Sequence, residues 1–257
     1  MITVESPPGF VVHTNIQKAA FDNGFRLDRG IDAGWVHYGS TTSQGDVWLA
    51  ATSSQGPWYL SLNHSGVAAE LKNYLTAVEG GPGISTFSFK TESDIYAAIG
   101  RVYQLGISLP DVPLQRFQTE TADLPRTTEE QRLTVQRKGQ NIFRQALMGY
   151  WNSTCPLTGI TDPALLRASH IVAWSDCETD ALRLDVHNGI LLSALWDAAF
   201  DSGLVSFDDA GNILTSPRLG EAAKAELKIT DAVKIPNLTA AHKVNLAVHR
   251  AKYGFHA

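Results

Sequence analysis

The chain has 257 residues, enough for one large domain or two modest ones. Hydrophobic residues make up 44%, which excludes a disordered polymer, and the formal net charge of −5 offers no bulk attraction to nucleic acid. No apolar run approaches the roughly 18 residues of a membrane span, and the opening residues lack the basic start and apolar core of a secretory signal. Cys155 and Cys177 are the only cysteines, which excludes a four-cysteine zinc site or a disulfide framework within one chain. No membrane association is expected, and the expected compartment is the cytoplasm.

Three short aromatic segments come first: 34–38, 46–50 and 57–62, each bounded by Gly, Ser or Asn. They predict an antiparallel meander. Residues 65–77 have helical spacing, with Val67, Leu71 and Leu75 on one face. Gly81-Pro82-Gly83 breaks the chain, residues 86–89 alternate like a strand, and 92–105 read as a helix. Together these predict an N-terminal α+β module over residues 1–106. Its aromatics (Trp35, Tyr38, Trp48, Trp58, Tyr59) suit either stacking on a flipped base or packing the core of a small sheet.

Residues 107–127 hold Pro110, Pro113 and Pro125 with little periodicity and read as a linker or a packed extended arm. A long helix is expected over about 128–150, opened by Thr128-Glu129-Glu130. Around it lies a local excess of base, with Arg126, Arg132, Arg137, Lys138 and Arg144 against Glu129 and Glu130. Residues 165–174 suit a strand, 175–187 a polar loop, 188–195 a second strand, and 196–201 a short helix closed by Gly203. Asp208-Asp209-Ala210-Gly211 predicts a hairpin, and helices are expected near 219–228 and 239–253. The C-terminal run from His242 to Arg250 suits phosphate binding or a solvated face equally.

Most of the chemistry lies between Cys155 and Leu204. This stretch reads C-P-L-T-G, A-S-H-I, H-N-G-I-L-L and D-A-A-F-D-S-G-L. Phosphodiester hydrolysis at neutral pH needs a base for the attacking water and positive charge for the phosphoryl oxygens and the leaving alkoxide. One histidine and one divalent cation held by carboxylates can meet these needs.

With the helix signature R-K-G-Q-N-I-F-R over Arg137–Arg144, these motifs resemble the HNH nuclease superfamily, whose core is a β-hairpin and a helix around one metal. The resemblance covers about residues 130–215. It implies an α+β protein with a ββα-metal nuclease domain over 128–257. By this resemblance His170 is the general base, and Asn188 is a site residue that either pins the loop or touches the metal. At the third motif position the superfamily has a histidine and this chain has Asp197, four residues before Asp201. On a helix the two carboxylates share a face and favour a hard ion, Mg²⁺ or alternatively Mn²⁺. Asp197 also suits a helix N-cap. Ser169 stands where many relatives carry a ligand, so the metal site is expected to be lean. Cys155 and Thr158-Gly159 are expected to be structural, and His187 an exposed loop residue.

The substrate implied is DNA, with Arg137, Lys138, Arg144 and Arg167 as phosphate contacts. The resemblance further implies a bacterial restriction or defence endonuclease. A double-strand cut would call for two active sites and hence a homodimer. The rival readings are an inactive HNH-fold protein that only binds DNA and an interaction protein that docks a partner through the N-terminal module.

Overall fold

The computed structural model describes residues 2–125 and 127–255, so Arg126 of the basic run lies outside the described residues. The chain divides into two compact units, residues 1–107 and 108–257. No helix of the described residues is long and apolar enough to cross a membrane.

The first unit starts with α1 (Phe10–Asp22), which buries Val12, Ile16, Ala19 and Ala20 along one face. Strands β1 (Leu27–Asp32) and β2 (Trp35–Gly39) follow, joined by Ala33 and Gly34. Both linking residues have positive φ, as a two-residue hairpin turn requires. Then come β3 (Val47–Ala51), β4 (Trp58–Leu62), α2 (Ser65–Lys72), β5 (Ala77–Val78), β6 (Ser85–Phe89) and α3 (Glu92–Ser108). The antiparallel sheet has the order β1-β2-β3-β4-β6-β5. Val36, Leu49, Leu60 and Phe87 align across four strands and form the floor of the core, with α1 packed on β2 and β3. The expected meander is present as β2-β3-β4. Tyr38 and Trp58 are buried in the core, so packing accounts for them, while Trp48 and Tyr59 are half-buried. Helix α2 stops at Lys72, short of the expected residue 77, because β5 pairs with β6 from Ala77. Elements α1 and β1 are additions to the sequence reading.

The second unit begins in the segment expected to be a linker. Residues Asp111–Thr121 form a helix, α4, that buries Pro113, Phe117 and Thr121 four residues apart. Pro113 is the third helical residue, where a backbone N–H has no intrahelical partner to lose. Helix α5 (Glu129–Tyr150) is started by a capping box in which Thr128 and Gln131 satisfy each other's backbone N–H.

Next come β7 (Leu166–His170), α6 (Asp180–Leu184), β8 (Gly189–Ser193) and α7 (Ala194–Asp201). Strands β7 and β8 pair antiparallel, from Leu166 opposite Ser193 to His170 opposite Gly189, and both α5 and α7 pack on this hairpin. The expected polar loop is therefore interrupted by α6. The expected hairpin appears as β9 (Val205–Phe207) and β10 (Ile213–Thr215), and α8 (Glu221–Glu226) and α9 (Ala240–Tyr253) complete the unit.

Two glycines set the distances between these elements. A Cβ on Gly139 of α5 would lie 2.5 Å from the Trp174 ring and 3.1 Å from Phe117. A Cβ on Gly189 would lie 2.5 Å from the Phe143 ring. In an open helix, Gly139→Ala would stabilise by about 1 kcal/mol. Here the rigid Trp174 ring must move, and overpacking costs about 1–3 kcal/mol. We expect Gly139→Ala to lower the midpoint of thermal unfolding. A raised midpoint would show that α5 and Trp174 are not in close contact.

Candidate active site

His170 ends β7, and its ring is fixed on three sides. It stacks on Phe143 of α5 with centroids 3.8 Å apart and planes 21° apart. The Trp174 ring meets it edge-on at 5.5 Å. Its Nε2 lies 2.9 Å from the Arg183 carbonyl oxygen. A carbonyl can only accept, so Nε2 carries the hydrogen, and in the neutral ring Nδ1 holds the basic lone pair. Burial pushes the His170 pKa below the usual 6.5, while the Arg183 carbonyl opposes that shift.

Asn188 is fully buried and uses its whole amide on the backbone of the loop. Its Oδ1 accepts from the Val172 N–H at 2.8 Å, and its Nδ2 donates to the Val172 and Leu182 carbonyls, each at 3.1 Å. These contacts pin the loop, the first of its two expected roles. Arg183 pins the same loop from the other side. Its guanidinium donates to the Trp174 and Cys177 carbonyls and to Asp180. The residue whose carbonyl sets the His170 tautomer is thus itself held by three neighbours. The motif reading does not contain Arg183, whose bonds reach residues up to nine positions away.

Helix α7 supplies the carboxylates. Its N-cap is Ser193, so Asp197 is the fourth helical residue and not a cap. Asp197 and Asp201 line one cleft of about 440 Å³ with His170, Arg167, Gln140 and Lys252. The Ser169 hydroxyl donates to Asp197 Oδ1 across the hairpin. The pKa of Asp201 is pushed up to about 6, first by burial of its carboxyl and then by the charge of Asp197, with Lys252 opposing. The residue as a whole is exposed, so solvent tempers this cost.

Two carboxylates four residues apart on one helix, one of which raises the pKa of the other, form a donor set suited to a hard cation. Among the described residues no group of three or more His, Cys, Asp or Glu is arranged to hold a metal. Asp197 and Asp201 would hold the ion, and water and substrate oxygens would fill the rest.

The four expected phosphate contacts part company. Arg144 is committed to the fold: its guanidinium donates to the Leu166 carbonyl at 2.8 Å and the Pro163 carbonyl at 2.7 Å, tying α5 to β7. Two of the nitrogens expected to meet phosphate are thus engaged by the backbone. Arg167 lines the cleft, and one of its nitrogens also donates to the Ala164 and Leu166 carbonyls. Arg137 is exposed and Lys138 half-buried on α5, and neither lines the cleft.

The C-terminal run has a buried side that its charges do not suggest. Helix α9 buries His242, Asn245, Leu246 and His249. His249 stacks on Phe200 at 3.9 Å, donates from Nε2 to the Phe200 carbonyl and accepts at Nδ1 from Ser206. Burial lowers its pKa to about 4. The Tyr253 hydroxyl donates to the Asp201 carbonyl at 2.7 Å. Helix α9 therefore grips the end of α7 that carries Asp201. His187, expected on the surface, is half-buried against Tyr150 and bonded to Asp185.

Arg144→Ala would strand two backbone carbonyls and should destabilise the protein by about 1–3 kcal/mol, read as a lower unfolding midpoint. The salt dependence of DNA binding should not change. A shallower salt slope at unchanged stability would return Arg144 to the interface.

No curated protein matches the chain. Residues 155–208 match the family model described as HNH endonuclease. That segment holds β7, α6, β8, α7 and β9, the elements that place His170, Asn188, Asp197 and Asp201, so it is this stretch of the chain that is similar to HNH endonucleases.

Proposed function

We propose that the second unit is a DNA endonuclease that hydrolyses phosphodiester bonds with His170 as general base and a divalent cation, Mg²⁺ before Mn²⁺, held by Asp197 and Asp201. One observation carries this reading. The His170 ring, its Nε2–H held by the Arg183 carbonyl, shares a cleft with two carboxylates.

When bound, the cation would offset charge on the phosphoryl oxygens and the leaving alkoxide. His170 Nδ1 takes the proton of the attacking water, and the Arg183 carbonyl stabilises the imidazolium that forms. Phe143 and Trp174 keep the ring from turning. Ser169 fixes the orientation of the Asp197 carboxylate. Arg167 at the cleft is the arginine best placed to meet the substrate backbone.

A restriction or defence role suits such an enzyme, with the first unit supplying recognition and a homodimer supplying two cutting sites. The lean donor set favours one alternative, an HNH fold that binds DNA without cutting it. Plasmid incubated with Mg²⁺, with Mn²⁺ or with EDTA separates the two: nicking or linearisation that needs the metal supports the enzyme, and intact plasmid in every lane supports the binder.

Asp197→Asn keeps the side-chain shape and removes its charge. It should raise the Mg²⁺ concentration needed for half-maximal cleavage. An unchanged Mg²⁺ titration would take Asp197 out of the metal site and leave Asp201.

His170→Ala should lower turnover by roughly 10²–10⁴-fold, the usual worth of a positioned general base, with DNA binding retained. Only neutral imidazole accepts the proton, so the wild-type rate should rise with pH. Burial lowers the His170 pKa, so the midpoint should fall below 6.5. Asp201 titrates in the same range, so the profile belongs at saturating metal. Wild-type turnover by His170→Ala, with the protein folded, would rule out the mechanism.

A further inference from the structure

The cleft around His170 has one wall that the family-matched segment does not supply. Helix α9 begins more than thirty residues beyond residue 208, and His249, Lys252 and Tyr253 from its last turns line the same cleft as His170, Asp197 and Asp201. Their placement is enforced. His249 and Tyr253 bond two consecutive carbonyls of α7, those of Phe200 and Asp201. Gly203, at φ +62°, carries no Cβ, and one built there would lie 2.1 Å from the Tyr253 ring. This close approach seats α9 against α7 and puts Lys252 beside Asp201, whose carboxyl feels the ammonium charge.

Phosphodiester cleavage gathers negative charge at the reacting phosphate. This cleft has two carboxylates to hold a cation, and among its described lining residues two are cationic, Arg167 and Lys252. One Arg167 nitrogen is shared between two backbone carbonyls. Lys252 donates to Asp176 Oδ2 at 2.7 Å, and both side chains of this pair are close to half exposed (46% and 45%). An exposed pair of this kind adds little stability, and its lysine exchanges readily to a stronger anion. Asp176 does not line the cleft. A lysine is a compact point charge on a flexible stem, suited to moving a few ångströms from a carboxylate to a phosphate.

We propose that Lys252 is a substrate-binding residue of the nuclease cleft, parked on Asp176 in the free protein and transferred to a non-bridging oxygen of the DNA phosphate beside the scissile bond. It adds positive charge at the phosphate beside that of the cation the two carboxylates would hold. The inference rests on the proposed nuclease reading, but it can be tested without cleavage.

The experiment uses the full chain and a short duplex DNA in EDTA, with affinity measured over a range of salt. Lys252→Met should reduce the slope of log affinity against log salt by about 0.9, the loss of one phosphate contact. Lys252→Arg should restore it. Asp176→Asn breaks the same ion pair but leaves the ammonium, so its affinity should equal or exceed that of the wild type. With metal added, Lys252→Met should lower kcat/KM by roughly 10–100-fold, the worth of a hydrogen bond to a charged group.

An unchanged slope in Lys252→Met overturns the proposal. So does an equal loss in Asp176→Asn, which would make the ion pair a structural brace. Wild-type protein that binds DNA with the expected slopes but never cuts it would sink the nuclease reading and leave the Lys252 contact standing. Wild-type protein that does not bind DNA overturns both.

Discussion

The site depends on a single imidazole being held at one angle and in one tautomer. His170 has Phe143 under its face, Trp174 at its edge and the Arg183 carbonyl on Nε2. Each constraint comes from a different element, so the arrangement requires α5, the hairpin and the loop between β7 and β8 to be in register together. Most of the sequence motifs serve this requirement. Gly139 lets Trp174 approach α5, Gly189 lets Phe143 lie against β8, and Arg144 ties α5 to β7. Asn188 and Arg183 keep the loop from drifting, which would remove the carbonyl that sets the tautomer. The polar and glycine positions of the motifs thus control distance and orientation, and in the proposed reaction the proton transfer itself falls to one nitrogen.

This explains which parts of the site were legible in the sequence. His170 and Asp197 were named through the resemblance to HNH nucleases, the four-residue spacing added Asp201 on the same helix face, and the cleft holds all three. Asn188 was legible as a position but not as a role, since a buried asparagine in an Asn-Gly pair can serve a loop or a metal until its partners are known. Arg144 misled for a related reason. An arginine on an otherwise amphipathic helix has the same spacing whether it faces a phosphate or a carbonyl, and here the carbonyls of Pro163 and Leu166 took it.

The larger departures have physical causes too. Three prolines made residues 107–127 read as a linker, yet Pro113 falls in the first turn of α4, where proline costs no hydrogen bond. Strand β1 is exposed along its whole length and carries no alternating pattern to detect. The C-terminal run was read by its charges, but the buried side of α9 is made of His242, Asn245 and His249, polar residues with internal partners or aromatic neighbours. Helices that bury histidines and asparagine leave a weak apolar stripe, so their inner face is hidden from a hydrophobic pattern.

Ser169 connects the base to the metal side of the cleft. It precedes His170 on β7, so the two side chains leave opposite faces of the strand. One meets α5 through Phe143, and the other meets α7 through Asp197. The hairpin therefore acts as a spacer that fixes the base relative to the carboxylate helix. A ligating residue at position 169 would add a donor to the cation. Serine instead spends its hydroxyl on orienting Asp197, which commits Oδ1 and sets the direction of Oδ2. The packing of α9 on Phe200 and Asp201 brings a lysine to the same cleft, a positive charge that the hairpin does not carry there. In this chain the balance of charge around the reacting phosphate is thus spread over elements that lie far apart in sequence, which is why a motif confined to the hairpin and its helix describes the base better than the electrostatics around it.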